Sequence, residues 1–252
     1  MVSAAMVQWL VGHPAQALAT TGQALNSARK RPHPFTLAVV LTYAAWVHQF
    51  RREAPAAREQ AEAGIAVTTE GGFPVWLGEV LIIRGWALAE LGEDGEGVEQ
   101  VRRGLTTFRA TGAVLVLPYW LGLLADVHGK ADRTADALKC LEEAIDLSNR
   151  TGDRFYLAEL HRLRGELLLR RADGAEHEPE SCFRLALAIA ASQNAKSLEL
   201  RAAMSLARLL ESEGKREEAR RMLAEIYDWF TEGFDTADLR DAKTLLDKLT
   251  AT

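Results

Sequence analysis

Apolar and small residues recur along this chain at helical spacing, and the stripes they form recur in turn about every 40 residues. Leu121, Leu124, Ala125 and His128 stand at i, i+3, i+4 and i+7, one face of an α-helix. A break from Gly129 to Arg133 precedes a second stripe of Ala137, Leu138, Leu141, Ala144 and Ile145. The unit before repeats the pair with Leu81, Gly85 and Leu88, then Gly97, Val101, Gly104 and Leu105. A later unit has Leu206, Ala207 and Leu210, then Ala219, Leu223, Ile226 and Tyr227. Each unit therefore predicts two antiparallel helices.

The smallest side chains keep the strictest metre. Ala45, Gly85, Ala125, Gly165 and Ala207 are separated by 40, 40, 40 and 42 residues. In the second helices Gly64, Gly104, Ala144, Ala186 and Ile226 are separated by 40, 40, 42 and 40. Helices approach closely only where a side chain is short, so these are the expected crossing points of the hairpins. Gly72, Gly112 and Gly152, then Asn194, end the second helices, where a left-handed residue is favoured. Pro34 and Pro74 open the next first helices. Gly12, Gly92 and Gly214 mark turns inside units. The two extra residues of the fourth unit fall in the charged stretch Arg171 to Glu178.

The chain therefore divides into one incomplete unit (1–33), five complete units (34–72, 73–112, 113–152, 153–194 and 195–233) and a terminal helix (234–252). Asp235 and Thr236 offer an N-cap to that last helix, whose apolar stripe is Leu239, Ala242, Leu245, Leu246 and Leu249. At the other end Ala17, Thr21 and Ala24 form a second-helix stripe, and Ala5 sits where its partner helix needs a small residue. That partner is short of a full helix. Met6, Trp9, Leu10 and Val11 then lack an upstream neighbour, so self-association through this incomplete repeat is expected.

The pattern resembles the tetratricopeptide repeat, W-x2-L-G-x2-Y followed by A-x3-F-x2-A. Leu121-x2-Leu124-Ala125-x2-His128 and Ala137-x3-Leu141-x2-Ala144 match its spacing, as do Ala203-x2-Leu206-Ala207-x2-Leu210 and Ala219-x3-Leu223-x2-Ile226. The period exceeds the usual repeat of about 34 residues. Arg84 and Arg164 replace the family's leucine, and Pro179 replaces its second-helix alanine. The 40-residue form, with Ala186–Ala190 and Leu198–Ala207, resembles the C-terminal repeat regions of bacterial ATPase and adenylate or guanylate cyclase signalling proteins. The resemblance implies an all-α, right-handed superhelical solenoid. It also implies a non-catalytic scaffold that binds a peptide or protein domain in its concave groove, as a regulatory part of a larger bacterial signalling protein. The alternative it implies is a small-molecule effector-sensing module of an ATPase-type transcriptional regulator.

In such stacks the first helix of each unit lines the groove. The resemblance places Trp46, Trp86, Asp126, Glu166 and Arg208 inward, one residue beyond each small position. Thr42, Ile82, Gly122, Arg162 and Met204 form a second inward row, with Tyr119, Glu159 and Arg201 a further turn back. The candidate binding residues are Trp46, Trp86, Tyr119, Asp126, Arg162, Glu166 and Arg208. The two indoles are expected side by side on one wall, with the charges setting orientation and register. Packing is the competing role for the tryptophans, and Glu166 then pairs with Arg162 or Arg208.

Charge and chemistry add mainly exclusions. A net charge of -5 provides no overall attraction for nucleic acid. No run of apolar residues reaches the length of a membrane span, and a cytoplasmic protein is expected. Cys140 and Cys182 read as reduced thiols. Gly129-Lys130 lacks the rest of a phosphate-binding loop, and His177 to Cys182 lacks the second half of a zinc site. No cofactor, metal or catalytic constellation is expected, and His48 and His128 read as packing residues.

Overall fold

The computed structural model describes residues 2–30, 33–171 and 178–251. Residues 31 and 32, at the first expected break, and 172–177, with most of the charged insertion and His177, lie outside the described residues. The described residues form thirteen α-helices and no strand: α1 (Val2–Leu10), α2 (Pro14–Lys30), α3 (Pro34–Phe50), α4 (Ala54–Gly71), α5 (Pro74–Glu90), α6 (Asp94–Ala110), α7 (Leu117–Lys130), α8 (Thr134–Thr151), α9 (Leu157–Arg170), α10 (Glu178–Ser192), α11 (Lys196–Ser212), α12 (Arg216–Tyr227) and α13 (Ala237–Thr250). Each odd helix pairs with the even helix after it. The odd helices also touch one another in succession, whereas the even helices meet only odd ones. The result is a two-layer superhelix of hairpins with the odd helices inside.

The hairpins close at the small residues. A Cβ at Gly85 would stand 2.8 Å from the Gly97 carbonyl oxygen, and one at Gly104 would stand 2.7 Å from that of Gly78. Four glycines thus bring the α5 and α6 backbones into direct contact. Replacing Gly104 by alanine should destabilise the protein, although alanine is the better helix former, because two helices must separate. Gly22 in α2 has nothing within 4 Å of a built Cβ. There the same replacement should stabilise by about 0.5–1 kcal/mol. Thermal melts of the two variants should shift in opposite directions.

The turns keep the metre more fully than the glycines do. Gly72, Gly112, Gly152 and Asn194 all adopt positive φ at the expected breaks. Inside units, Gly12 (φ 89°) and Gly92 (φ 88°) alternate with Arg52 (φ 60°) and Asp132 (φ 56°), each 40 residues apart. Arg52 thus holds a backbone conformation that glycine adopts without strain. Thr236 stands at the N-cap of α13, but its hydroxyl donates to the Gly233 carbonyl (2.7 Å) rather than accepting from the helix.

The superhelix turns far enough for its ends to meet. The Ser197 hydroxyl of α11 donates to the Trp9 carbonyl of α1 at 2.6 Å, across 188 residues of sequence. Glu232, in the loop after α12, accepts from the free backbone N–H groups of Ala15 and Gln16, both at 3.1 Å. It caps α2 from the far end of the chain. The buried Arg51 guanidinium donates to the Pro14 carbonyl at 2.7 Å and meets Asp235 at 3.4 Å. Trp9, expected to lack a neighbour, is buried: it stacks on Phe50 (4.6 Å) and lies under the Arg201 guanidinium (4.8 Å). Val7 of α1 stays exposed.

An aromatic column fills one side of the interior. From Trp9 and Phe50 it continues through Trp46, which stacks on Trp120 at 4.9 Å and 13°. Tyr119 sits edge-on to Trp46 at 5.1 Å and to Tyr156 at 4.7 Å. The Tyr119 hydroxyl donates to Gln49 at 2.7 Å, so the buried phenol is satisfied.

Candidate functional site

The inner helices surround a polar cavity of about 220 Å³. Gln49 and Arg52 reach it from the end of α3, Trp86 and Glu90 from α5, and Asp126 and Lys130 from α7. Glu159, Arg162 and Leu163 of α9 and Arg201, Met204, Ser205 and Arg208 of α11 complete the long wall, with Tyr156 below them. Asp238 and Asp241 of α13 close the circle. Helical spacing explains the convergence: 86 and 90, 126 and 130, and 201, 205 and 208 each fall on one face of their helix.

The charges are almost all paired. Arg162 grips Glu159 with two hydrogen bonds of 2.9 Å, meets Glu166 at 3.3 Å and reaches Ser205 at 3.3 Å. Ser205 in turn donates to Glu166 at 2.6 Å. Arg201 donates to Asp238 (2.8 Å) and to the Phe50 carbonyl (2.6 Å), with Glu159 at 3.5 Å. Arg52 bridges Asp238 (3.2 Å) and Asp241 (2.7 Å). Lys130 pairs with Glu90 and lies 3.5 Å from Asp126. Burial opposes the charge on Glu159, but Arg162 and Arg201 outweigh it and hold the carboxyl below the usual carboxylate range. Burial likewise opposes the Arg162 charge, and Glu159 more than compensates. Arg208 is different. It is exposed, lines the cavity and makes no ion pair with any described residue.

The seven residues expected in the groove divide into two groups. Trp86, Asp126, Arg162 and Arg208 line the charged cavity, and Glu166 joins it through Arg162 and Ser205. The Trp86 Nε1–H donates to Asp126 at 3.2 Å, which turns the largely buried indole toward the cavity. Trp46 and Tyr119 belong to the aromatic column behind it. The two indoles therefore do not share a wall. Trp46 stacks on Trp120 of α7, whereas Trp86 is drawn to the acid of the next repeat. Glu90 and Lys130 had a sequence signal, standing one turn beyond Trp86 and Asp126. Asp238 and Asp241 had none, because α13 lies outside the metre. Of the two histidines, His48 contacts Glu53 at 2.6 Å while His128 is buried, its pKa lowered by burial.

No protein-family model matches the chain. An uncharacterised protein of Rhizobium meliloti (strain 1021) is 36% identical over 132 residues, 52% of this chain. The match covers 13% of that relative's length. Among solved structures, NprR in complex with its cognate peptide NprX superposes with a TM-score of 0.72 at 15% identity, over 98% of this chain and 71% of that one. A Rap protein complexed with competence and sporulation factor gives 0.65 at 11% identity, over 97% of this chain and 72% of that one. A Signal Transduction ATPase with Numerous Domains, which carries a tetratricopeptide repeat sensor and comes from Pyrococcus horikoshii, gives 0.55 at 14% identity, over 98% of this chain and 37% of that one. The chain is thus a tetratricopeptide-like helical solenoid. Among the described residues no helix is long and apolar enough to cross a membrane.

Proposed function

We propose that this chain is a non-catalytic recognition scaffold that binds the end of a peptide in its central charged cavity. The observation that carries the reading is Arg208, a cation on the wall of a cavity whose other described charges are matched. An incoming carboxylate gives Arg208 the ion-pair partner it lacks, and Arg suits it because its planar fork binds both oxygens. Capture of a peptide's terminal carboxylate is a known recognition mode. A volume of about 220 Å³ lies below the ~300–1,000 Å³ of ordinary small-molecule pockets, which favours one peptide terminus over a whole ligand. Trp86 supplies an apolar wall, while Asp126, Arg162 and Glu166 set the register. The peptide complexes of NprR and the Rap protein, on the same fold, support this reading. The match to part of a much longer Rhizobium meliloti protein supports a place in a larger polypeptide, and the repeat sensor of the Pyrococcus horikoshii signalling ATPase, on the same fold, supports a regulatory one.

The test uses the immobilised chain and a pool of heptapeptides with free C-termini, with the retained peptides read by mass spectrometry. The same pool with amidated C-termini should be retained poorly. Arg208→Ala should weaken retained peptides by about 10–100-fold, the loss of one charged hydrogen-bonded contact. Equal retention of amidated peptides, or full binding by the variant, would sink the assignment.

A further inference from the structure

A second cavity, of about 510 Å³, opens on another part of the molecule and has a different chemistry. Met6, Val7 and Leu10 of α1 form one side, and Tyr43 and Trp46 of α3 another. Val75 and Trp76 of α5, Phe108 of α6 and Phe155 complete an almost wholly apolar lining, with Leu115 at the mouth. Its volume lies within the ~300–1,000 Å³ range of small-molecule pockets, unlike that of the charged cavity. Leu115 is 73% exposed and Val7 56% exposed, so the rim presents apolar surface to solvent. The Tyr43 ring contacts both indoles, 5.5 Å from Trp46 and 6.1 Å from Trp76, centroid to centroid.

One residue breaks the pattern. Glu79 lines this cavity, is 5% exposed, and its Oε2 is enclosed without a hydrogen-bond partner. It follows Trp76 by three residues and Val75 by four on α5, so all three occupy one helical face. Among the described lining residues there is no lysine, arginine or histidine, and the other ionisable group is the Tyr43 phenol. The buried Tyr119 phenol stands behind Trp46. A buried carboxyl without a partner costs the fold, and burial alone pushes its pKa up to about 8. Nothing within the described structure compensates it.

We propose that this cavity binds a small hydrophobic amine, with the ammonium against Glu79 and the apolar body among the aromatic side chains. The two requirements are complementary. A carboxylate that lacks a donor pairs with an N–H-bearing cation, and indole and phenol faces attract the same cation through their quadrupoles. A carboxylate ligand would be repelled by the ionised Glu79 and would hold it protonated, with no ion pair formed. A neutral ligand would leave Glu79 to be neutralised by a proton. Binding of the ammonium drives that proton off, so affinity should rise with pH up to about 8, nearly tenfold per unit, and then level off.

Titration calorimetry of the intact chain with 2-phenylethylamine tests this, with 3-phenylpropan-1-ol and 3-phenylpropionate as the neutral and anionic comparisons. The amine should bind at least tenfold more tightly than either, and more tightly at pH 8 than at pH 6. Glu79→Gln keeps the shape, removes a buried acid and should fold; it should lose at least tenfold in amine affinity and all of the pH dependence. Leu115→Arg places a cation at the exposed mouth and should weaken the amine alone. Arg208→Ala, which alters the other cavity, should leave amine binding unchanged. The proposal is overturned if the amine does not bind, if 3-phenylpropionate binds more tightly, or if Glu79→Gln retains full affinity. It is also overturned if an acetylated lysine peptide outcompetes the free amine, which would make the cavity a protein-docking site.

Discussion

Replacing Trp46 by alanine should cost the fold about 3–5 kcal/mol, the usual loss when a large buried aromatic leaves a cavity. The indole is 3% exposed and joins two ends of the aromatic column, Phe50 on one side and Trp120 on the other. Its removal also frees one face of Tyr119. A loss of this size is a large share of the ~5–15 kcal/mol that stabilises an ordinary domain. Denaturant unfolding should show a lower midpoint with an unchanged slope. Trp86 is buried as deeply, at 1% exposed, and differs in its bond to Asp126 on the cavity wall. Trp86→Phe keeps most of the packing but loses that bond, so it should lower both peptide retention and melting temperature. A Trp46→Ala variant that melts like the wild type would return that residue to the binding surface.

Arg201→Ala should destabilise by a similar amount, about 3–5 kcal/mol, because removing one member of a buried ion pair strands the others. Asp238 and the Phe50 carbonyl both lose a donor, and Trp9 loses the cation over its ring. The contacts that hold α1, α3, α11 and α13 together weaken at once. Arg208→Ala, two turns along the same helix and exposed, should change stability by no more than about 0.5 kcal/mol. Chemical denaturation of the two variants at one pH gives the comparison. A neutral Arg201→Ala would mean that contacts between the ends contribute little. The same cluster predicts the acid limb of stability. Glu159 has its pKa lowered from 4.5 on folding, so its contribution is present above that value and lost as pH falls through the lower folded one.

Most of the local architecture is legible in the residues. The stripes of Leu121, Leu124 and Ala125 and of Ala137, Leu141 and Ala144 are short-range signals, set by one helix and its partner across one turn. Gly85 and Gly104 show why the metre is strict: the backbones touch there, so no larger side chain fits. The glycine signal understates the turns, because Arg52 and Asp132 adopt the same conformation without being glycine. Arg52 is tied there by Asp238 and Asp241, residues that no local pattern connects to it.

The sequence alone determined the helical pairs, their order, their crossing points and the inward rows from which Trp86, Asp126, Arg162 and Arg208 come. Each depends on periodicity within about 40 residues, where a helix and its neighbour impose the pattern directly. Only the tertiary structure decided what those rows enclose. Small rotations between successive repeats accumulate along a solenoid, and their sum brings Ser197 to Trp9 and Arg201 to Phe50. That closure buries Trp9 of the first helix, brings α13 to the charged cavity, and separates two equivalent tryptophans into different environments. A repeat pattern specifies the step from one unit to the next. The meeting of the ends depends on the whole sum of steps, and the orientation of each indole depends on neighbours that other repeats supply.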